Sequence, residues 1–382
     1  MSLEEKIVHL VLKKVAEVAK ERNLDEEGIN TYVETVVRTA STEGVKYMAD
    51  EMTAYLARQI PEMIEQERTL RTAFEQRLYE RWQKALDLFD ATVILTREAG
   101  ERFLTKYREQ TVKENATLIE ALVRIHVRAC QTASAISVLL KSGFARDALA
   151  RQRTLHEFAV VTFLLKKHGG SLAERFLLHE RIETAAAAEQ YEQFYARLGE
   201  EPPDPANVVA LRAEKARLCQ QFGEDFKNHY GWAAQVLGVK RPKFEDLEKA
   251  VRLDHLRPYY RMASYGVHAT PKGIVFDVGT IQDLAGGPRG LLAGASNAGL
   301  ADAGHASLLS LGQCTAALLT SRPDLEAVAE LRMLKSFVDE AGQEFIRIHR
   351  EQIQEEKQRL AALSEPEDEQ NESLSETASS TD

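Results

Sequence analysis

Apolar residues recur at three- and four-residue intervals along most of the chain, which is the spacing of one face of an α-helix. No proline and only five glycines lie between Glu62 and Glu201, so almost nothing there interrupts a helical backbone. One stripe comprises Leu70, Phe74, Leu78, Trp82, Leu86, Phe89 and Val93, and a second comprises Leu118, Leu122, Ile125, Ala129, Leu139 and Leu140. We therefore predict an all-α, multi-helix bundle that includes a long amphipathic helix before residue 110.

The periodic pattern is weaker near the N-terminus and in a glycine-rich segment of the second half. Residues 1–60 predict two or three shorter helices, with Asp25 and Ser41 as N-caps and Pro61 as the end of the last one. Glycines concentrate between residues 279 and 312, which predicts a glycine-rich loop or a small hairpin near residues 273–300. The best strand candidate is Gly273–Gly279.

These breaks divide the chain into four predicted regions. They are an N-terminal helical extension (1–110), a helical core domain (111–322), a C-terminal helix (323–363) and an acidic tail (364–382). The tail consists largely of Ser, Glu, Asp and Thr, with almost no apolar residue. We therefore expect it to be disordered.

Composition limits the classes of function. The chain has 49 basic and 59 acidic residues, a formal net charge of −10, which argues against a protein that coats nucleic acid or a membrane surface. Its three cysteines form no CxxC pair, which excludes a disulfide scaffold or a zinc knuckle. No run of eighteen apolar residues occurs, so no membrane span is expected. We expect a soluble protein of the reducing cytoplasm.

The negative charge is unevenly distributed. The tail holds seven acids and no base, which leaves a net charge of −3 on residues 1–363. Residues 121–170 carry a local charge of +6, and residues 249–273 carry +4. A basic cleft for an anionic ligand on an acidic body is therefore compatible with the composition.

Most sequence signatures of catalysis are missing. No GxGxxG, phosphate-binding lysine loop, HExxH or GxSxG motif occurs. The neighbouring side chains of His156 and Glu157 would point about 100° apart on a helix, so they cannot both bind one metal ion unaided. Cys130 lies in an apolar helical stretch and is predicted to be a buried, inert thiol. We expect no metal and no cofactor.

One group of residues has the chemistry of an anion site. Arg261 and His268 are seven positions apart, so on a continuous helix they would share a face, with Ser264 and Tyr265 between them. A permanent cation and a group that titrates near neutral pH suit a phosphate-bearing substrate. The alternative is a histidine at a helix end that bonds to a backbone carbonyl, and Gly266 suggests that the helix does end here.

A second group lies earlier in the chain. Gly143 is predicted to end one helix, and a second helix begins almost at once. Arg153 and Glu157 are four positions apart on that second helix, which suits an ion pair. Such a pair either organises a bundle or supports a site.

The two groups together resemble a bacterial domain-of-unknown-function family (DUF 5677). The resemblance rests on Gly143-Phe144, on Arg153-x-Leu155-x-Glu157 and on the downstream Tyr260-x3-Ser264-x3-His268, and it covers roughly residues 111–275. That family is in turn similar to HEPN-type helical bundles. In HEPN nucleases an arginine and a histidine from each of two subunits meet at a dimer interface and cut RNA without metal.

This resemblance implies a metal-independent endoribonuclease of toxin or phage-defence type that acts as a homodimer. Arg261-x6-His268 fits the long end of the HEPN spacing; His268 would be the general acid or base, and Arg261 would stabilise charge on the phosphoryl group. The supporting or anion-binding residues would be Tyr260, Ser264, Tyr265, Arg153 and Glu157. Met262 departs from the polar residue that usually follows the arginine in active members. The alternatives are a catalytically inactive helical module that binds a nucleotide, nucleic acid or protein, and an oligomeric scaffold.

Overall fold

The computed structural model describes residues 13, 15–21, 25–109, 115–276, 280–281, 290–291 and 293–364. The predicted all-α bundle is confirmed over these residues. Contacts divide the chain into two compact units, residues 1–74 and residues 75–382.

The first unit contains most of helix α1, Glu26–Arg108. Asp25 is the predicted N-cap, since its Oδ1 accepts a hydrogen bond from the backbone N–H of Gly28 at 2.9 Å. The predictions for Ser41 and Pro61 were wrong, because both lie inside this helix. A proline inside a helix removes one backbone hydrogen bond, and here strong helix formers such as Glu62 and Met63 continue the helix beyond it.

The second unit begins within α1 and contains the core. The predicted stripe is buried from Leu78 to Val93, whereas Leu70, in the first unit, is exposed. The next helices are α2 (Ala116–Lys141), α3 (Ala145–His168), α4 (Gly170–Leu198) and α5 (Pro205–Phe222). As predicted, Gly143 allows the chain to leave α2, because its φ of 77° is in the left-handed region that glycine adopts freely.

Short elements follow α5 and carry much of the candidate site. They are the 3₁₀ turns Glu224–Lys227, Gly231–Ala233 and Asp254–Leu256, and the helices α6 (Ala234–Leu237), α7 (Phe244–Ala250), α8 (Arg257–Tyr265) and α9 (Pro271–Phe276). Two-residue strands β1 (Thr280–Ile281) and β2 (Gly290–Leu291) pair antiparallel in the segment for which a glycine-rich loop or a small hairpin was predicted.

A strand was predicted for Gly273–Gly279, of which the structure describes residues 273–276. The prediction was wrong for these residues, because residues 271–276 form helix α9. Thr270 accepts a hydrogen bond from the backbone N–H of Gly273 at 3.3 Å, and Pro271 occupies the first helical position. Threonine followed by proline is a helix-start signal that outweighs the short alternating pattern after it. Residues 277–279 lie outside the described part.

Two long helices complete the fold, α10 (Leu300–Leu319) and α11 (Leu325–Ser364), and α11 lies close to the predicted C-terminal helix 323–363. Helix α10 packs against α2, α3 and α11. The approach of α10 to α11 requires glycine at position 304, because a Cβ atom there would lie 2.4 Å from Cζ of Phe345. Residues 365–382, most of the predicted disordered tail, lie outside the described residues.

Membrane spanning was tested on the helices of the described ranges. None of them combines the length and the apolar character that crossing a bilayer requires.

Candidate functional site

Helices α3 and α8 bring together three residues of the predicted site. Arg153 Nε lies 3.1 Å from Glu157 Oε1, which confirms the predicted ion pair. The hydroxyl of Tyr260 donates to the same Glu157 oxygen at 2.7 Å, and the Arg153 guanidinium carbon lies 4.7 Å from the centroid of the Tyr260 ring. We call Arg153, Glu157 and Tyr260 the Tyr260 cluster.

A second group lies deeper, and sequence analysis missed it. Glu248 of α7 is fully buried, and its Oε1 lies 2.9 Å from Nε2 of His156. Its other oxygen accepts a hydrogen bond from Nη1 of Arg257, whose Nη2 lies 3.2 Å from Oε2 of Glu245. We call His156, Glu248 and Arg257 the Glu248 triad. Buried charges of this kind stabilise a fold only when each has a partner.

Aromatic rings separate these polar groups from water. The ring of Phe244 lies 4.8 Å from that of Tyr260 and 5.8 Å, edge-on, from that of His156. Burial raises the pKa of Tyr230 to about 12. Burial, together with the hydrogen bond to Glu157, raises the pKa of Tyr260 still further. Both tyrosines are therefore hydrogen-bond donors at neutral pH and cannot act as bases.

Arg261 lies on the exposed side of α8, and His268 lies, also exposed, in the bend that follows this helix. Helix α8 ends at Tyr265, so the predicted common helical face does not continue as far as His268. As the sequence suggested, His268 lies beyond the end of the helix. Its backbone N–H donates a hydrogen bond to the backbone carbonyl of Ser264 at 3.3 Å. Within the described ranges, neither the Arg261 nor the His268 side chain has a hydrogen bond or an ion pair.

The two remaining predicted residues have local partners. The Ser264 hydroxyl donates to the backbone carbonyl of Tyr260 at 2.8 Å, within the same helix. The Tyr265 ring lies beneath Nζ of Lys272 in α9, at 4.6 Å from the ring centroid. Arg261 and Tyr265 of α8, His268 of the bend and Lys272 of α9 belong to consecutive elements, and we call the surface of these elements the α8–α9 surface.

The thiols and the metal-ligating side chains supply no further centre. Cys130 is buried, as predicted, and burial raises the pKa of its thiol to about 11. Burial also raises the pKa of Cys219 and Cys314. Among the residues that the structure describes, no three His, Cys, Asp or Glu side chains converge as metal ligands would.

Comparison with known proteins identifies the segment that carries the site. No curated protein and no solved structure matches the chain. Residues 119–283, which include the Tyr260 cluster, the Glu248 triad and the α8–α9 surface, match the model of a family of unknown function, DUF5677. The resemblance drawn from the two sequence motifs is thereby confirmed for this segment of the chain.

Proposed function

We propose that the chain binds RNA at the α8–α9 surface and cleaves it without a metal ion. The observation that carries the proposal is the contrast between paired and unpaired cations. Arg153 and Arg257 both face carboxylates. Arg261 and His268, by contrast, are exposed and have no hydrogen bond or ion pair in the described ranges, and Arg261 acts on Glu245 only at longer range, where it helps to lower the pKa of that carboxyl. An exposed arginine and an exposed imidazole are the groups that suit a phosphodiester.

The chemistry would divide between these two side chains. His268 would accept the proton of the ribose 2′-hydroxyl or protonate the leaving oxygen, and Arg261 would stabilise the charge that develops on the phosphoryl group. Glu157, Tyr260 and Ser264 are hydrogen-bonded inside the fold. We therefore assign the Tyr260 cluster the role of holding α8 in place. The resemblance to HEPN bundles supports this division.

The same observation supports a non-catalytic binding module as the second candidate. With the Tyr260 cluster engaged internally, one copy of the chain offers a single arginine and a single histidine for chemistry. A site of this kind would cleave RNA only if a second copy supplied further groups, as in HEPN dimers. Without them, the α8–α9 surface would bind phosphate groups and release them unchanged.

A ribonuclease assay in EDTA tests the proposal. Purified protein should cleave RNA with EDTA present, and His268→Ala should lower the rate by about 100-fold or more, the usual contribution of a general acid or base. Arg261→Ala should also lose activity, because it removes the cation from the phosphoryl group. The rate of product formation on a labelled RNA is the measurement.

His255→Ala is the matched control, because His255 is exposed in the turn immediately before α8. It should keep the wild-type rate. Undiminished cleavage by His268→Ala would refute the assignment of the catalytic histidine. Binding of labelled RNA without cleavage, weakened by Arg261→Ala, would instead establish the non-catalytic module.

The part of helix α1 in the first unit carries an apolar surface of its own. Between residues 45 and 64 of the first unit, large apolar side chains are exposed: Val45, Tyr47, Met48, Met52, Tyr55, Leu56, Ile60, Met63 and Ile64. Exposed apolar side chains in such number are typical of an interaction surface. We propose that a second copy of the chain covers them.

Light scattering tests this association. The wild-type protein should have the mass of a dimer, and the double variant Met52→Glu/Leu56→Glu should have that of a monomer, because it places charge in the apolar surface. Arg58→Glu, an exposed change on the same helix, is the control and should leave the dimer intact. A monomeric wild-type protein would contradict the dimer.

A further inference from the structure

A basic cleft lies at the C-terminal end of α3, in a part of the domain that the proposed function does not use. Its volume is about 580 Å³, and it is lined by Phe163, Lys166 and Lys167 of α3, by residues 250–253 and by Gln313 of α10. Three of these residues are cations and none is a carboxylate. The lining therefore favours a negatively charged occupant.

The positive charge in the basic cleft is not neutralised by its contacts. Lys166 donates a hydrogen bond to the hydroxyl of Thr320, and Lys167 donates to the backbone carbonyl of Ala250 at 2.9 Å. Both acceptors are neutral, so neither of these contacts pairs an ammonium group with a carboxylate; burial lowers the pKa of Lys166. Arg252 has neither an ion pair nor a hydrogen bond to its side chain among the described residues.

Arg252 also has an unusual backbone conformation. Its φ of 60° lies in the left-handed region, which residues with a Cβ atom rarely adopt and long side chains do not favour. That conformation ends α7 in a Schellman motif, in which the N–H of Arg252 donates to the Lys249 carbonyl and the N–H of Leu253 donates to the Glu248 carbonyl. The motif fixes the backbone at Arg252, which supplies the exposed cation of the basic cleft.

An apolar groove adjoins the basic cleft. It has a volume of about 420 Å³ and shares Phe163 and Gln313 with the cleft. Its other apolar lining comes from α10 and α11: Leu309, Gly312, Ala316, Leu331, Leu334 and Val338. The two charged residues of the groove, Lys335 and Asp339, pair with each other. The groove is therefore suited to a hydrocarbon chain.

We propose that the basic cleft and the apolar groove form one binding site for a small single-chain amphiphile with an anionic headgroup. The headgroup lies against Lys166, Lys167 and Arg252, and the chain lies along α10 and α11. The amide of Gln313 is at the junction, and its NH₂ group donates a hydrogen bond to the oxygen that joins the head to the chain. Both volumes fall within the range of about 300–1,000 Å³ that is typical of small-molecule sites.

Titration with dodecyl phosphate below its micelle concentration tests this site in the full-length protein. We expect one molecule to bind per chain, more tightly than inorganic phosphate, dodecyl maltoside or dodecyltrimethylammonium. Arg252→Asn should weaken the binding about tenfold, the effect of losing one charged contact. Asparagine tolerates the left-handed conformation, so this change removes the cation without straining the backbone further. Arg252→Lys should keep most of the affinity.

Two arginine variants outside the cleft serve as controls. Arg241→Asn, in the exposed loop before α7, and Arg151→Gln, about four turns before Lys167 on α3, should bind as the wild type does. Gly312→Leu places a larger side chain in the apolar groove. It should weaken the binding of dodecyl phosphate but leave the binding of inorganic phosphate unchanged. Thermal unfolding of each variant shows whether it is folded.

The basic cleft and the apolar groove are each tested by a separate outcome. Equal binding of the neutral or cationic amphiphile would overturn the role of the basic cleft, as would unchanged affinity in Arg252→Asn. Inorganic phosphate that binds as tightly as dodecyl phosphate would overturn the role of the apolar groove. Because none of the variants changes Arg261 or His268, the result is independent of the proposed ribonuclease.

Discussion

Glu248→Ala is expected to lower the free energy of unfolding of the second unit by about 3–5 kcal/mol. The carboxylate is fully buried and is shared by His156 and Arg257. Its removal leaves the Arg257 guanidinium without its buried partner, and Nε of that group already lacks a hydrogen bond in the described structure. The guanidinium keeps only its contact with the partly exposed Glu245, and the loss of a buried partner costs far more than the pair contributes. Urea titration followed by tryptophan fluorescence measures the change, since Trp82 and Trp232 are both buried in this unit.

Glu245→Gln is the matched control for this prediction. Glu245 pairs with the same arginine, but its side chain is partly exposed and also contacts Lys249. Water can replace its contacts, so its loss should change stability far less. If Glu248→Ala were no more destabilising than Glu245→Gln, the Glu248 triad would not hold α7 and α8 on α3.

Trp82→Ala is expected to lower the free energy of unfolding by a similar amount, about 3–5 kcal/mol, for a different physical reason. The indole is fully buried, its ring centroid lies 5.8 Å from that of Phe345 in α11, and its Nε1–H donates to Oδ1 of Asn297 at 2.6 Å. Alanine would leave a cavity at the contact of α1 with α11. Urea titration followed by circular dichroism or by the fluorescence of Trp232 measures the loss.

Asn297→Ala separates the hydrogen bond from the packing at this position. It removes the acceptor, keeps the indole and leaves the buried N–H without a partner, so it should cost about 1–3 kcal/mol, the usual cost of an unsatisfied buried donor. A loss as large as that of Trp82→Ala would show that the hydrogen bond, and not the buried ring, carries the stability.

The helical fold could be predicted because its cause is local. The interval of apolar residues and the scarcity of proline and glycine act within each segment, and the structure follows them from Leu78 to Val93 and along α10. The errors occurred where two local signals competed. Pro61 is a helix breaker among strong helix formers, and the Thr270-Pro271 helix start precedes an alternating strand pattern.

The candidate site could be predicted only in part, because most of its contacts join distant segments. Arg153 and Glu157 are one helical turn apart, so their ion pair could be found from their spacing. The contacts of Glu157 with Tyr260 and of His156 with Glu248 span 103 and 92 residues, and they depend on how α7 and α8 pack on α3. The predicted common face of Arg261 and His268 required a helix that continues as far as residue 268, but α8 ends at Tyr265.

The three buried cysteines give the folded chain an internal reporter of its own opening. They lie in different helices, Cys130 in α2, Cys219 in α5 and Cys314 in α10, and burial keeps the pKa of each thiol above its ordinary value. A thiol reagent reacts with the thiolate, so in the native state all three are protected both by packing and by protonation. The order in which they become labelled therefore records which helix leaves the bundle first.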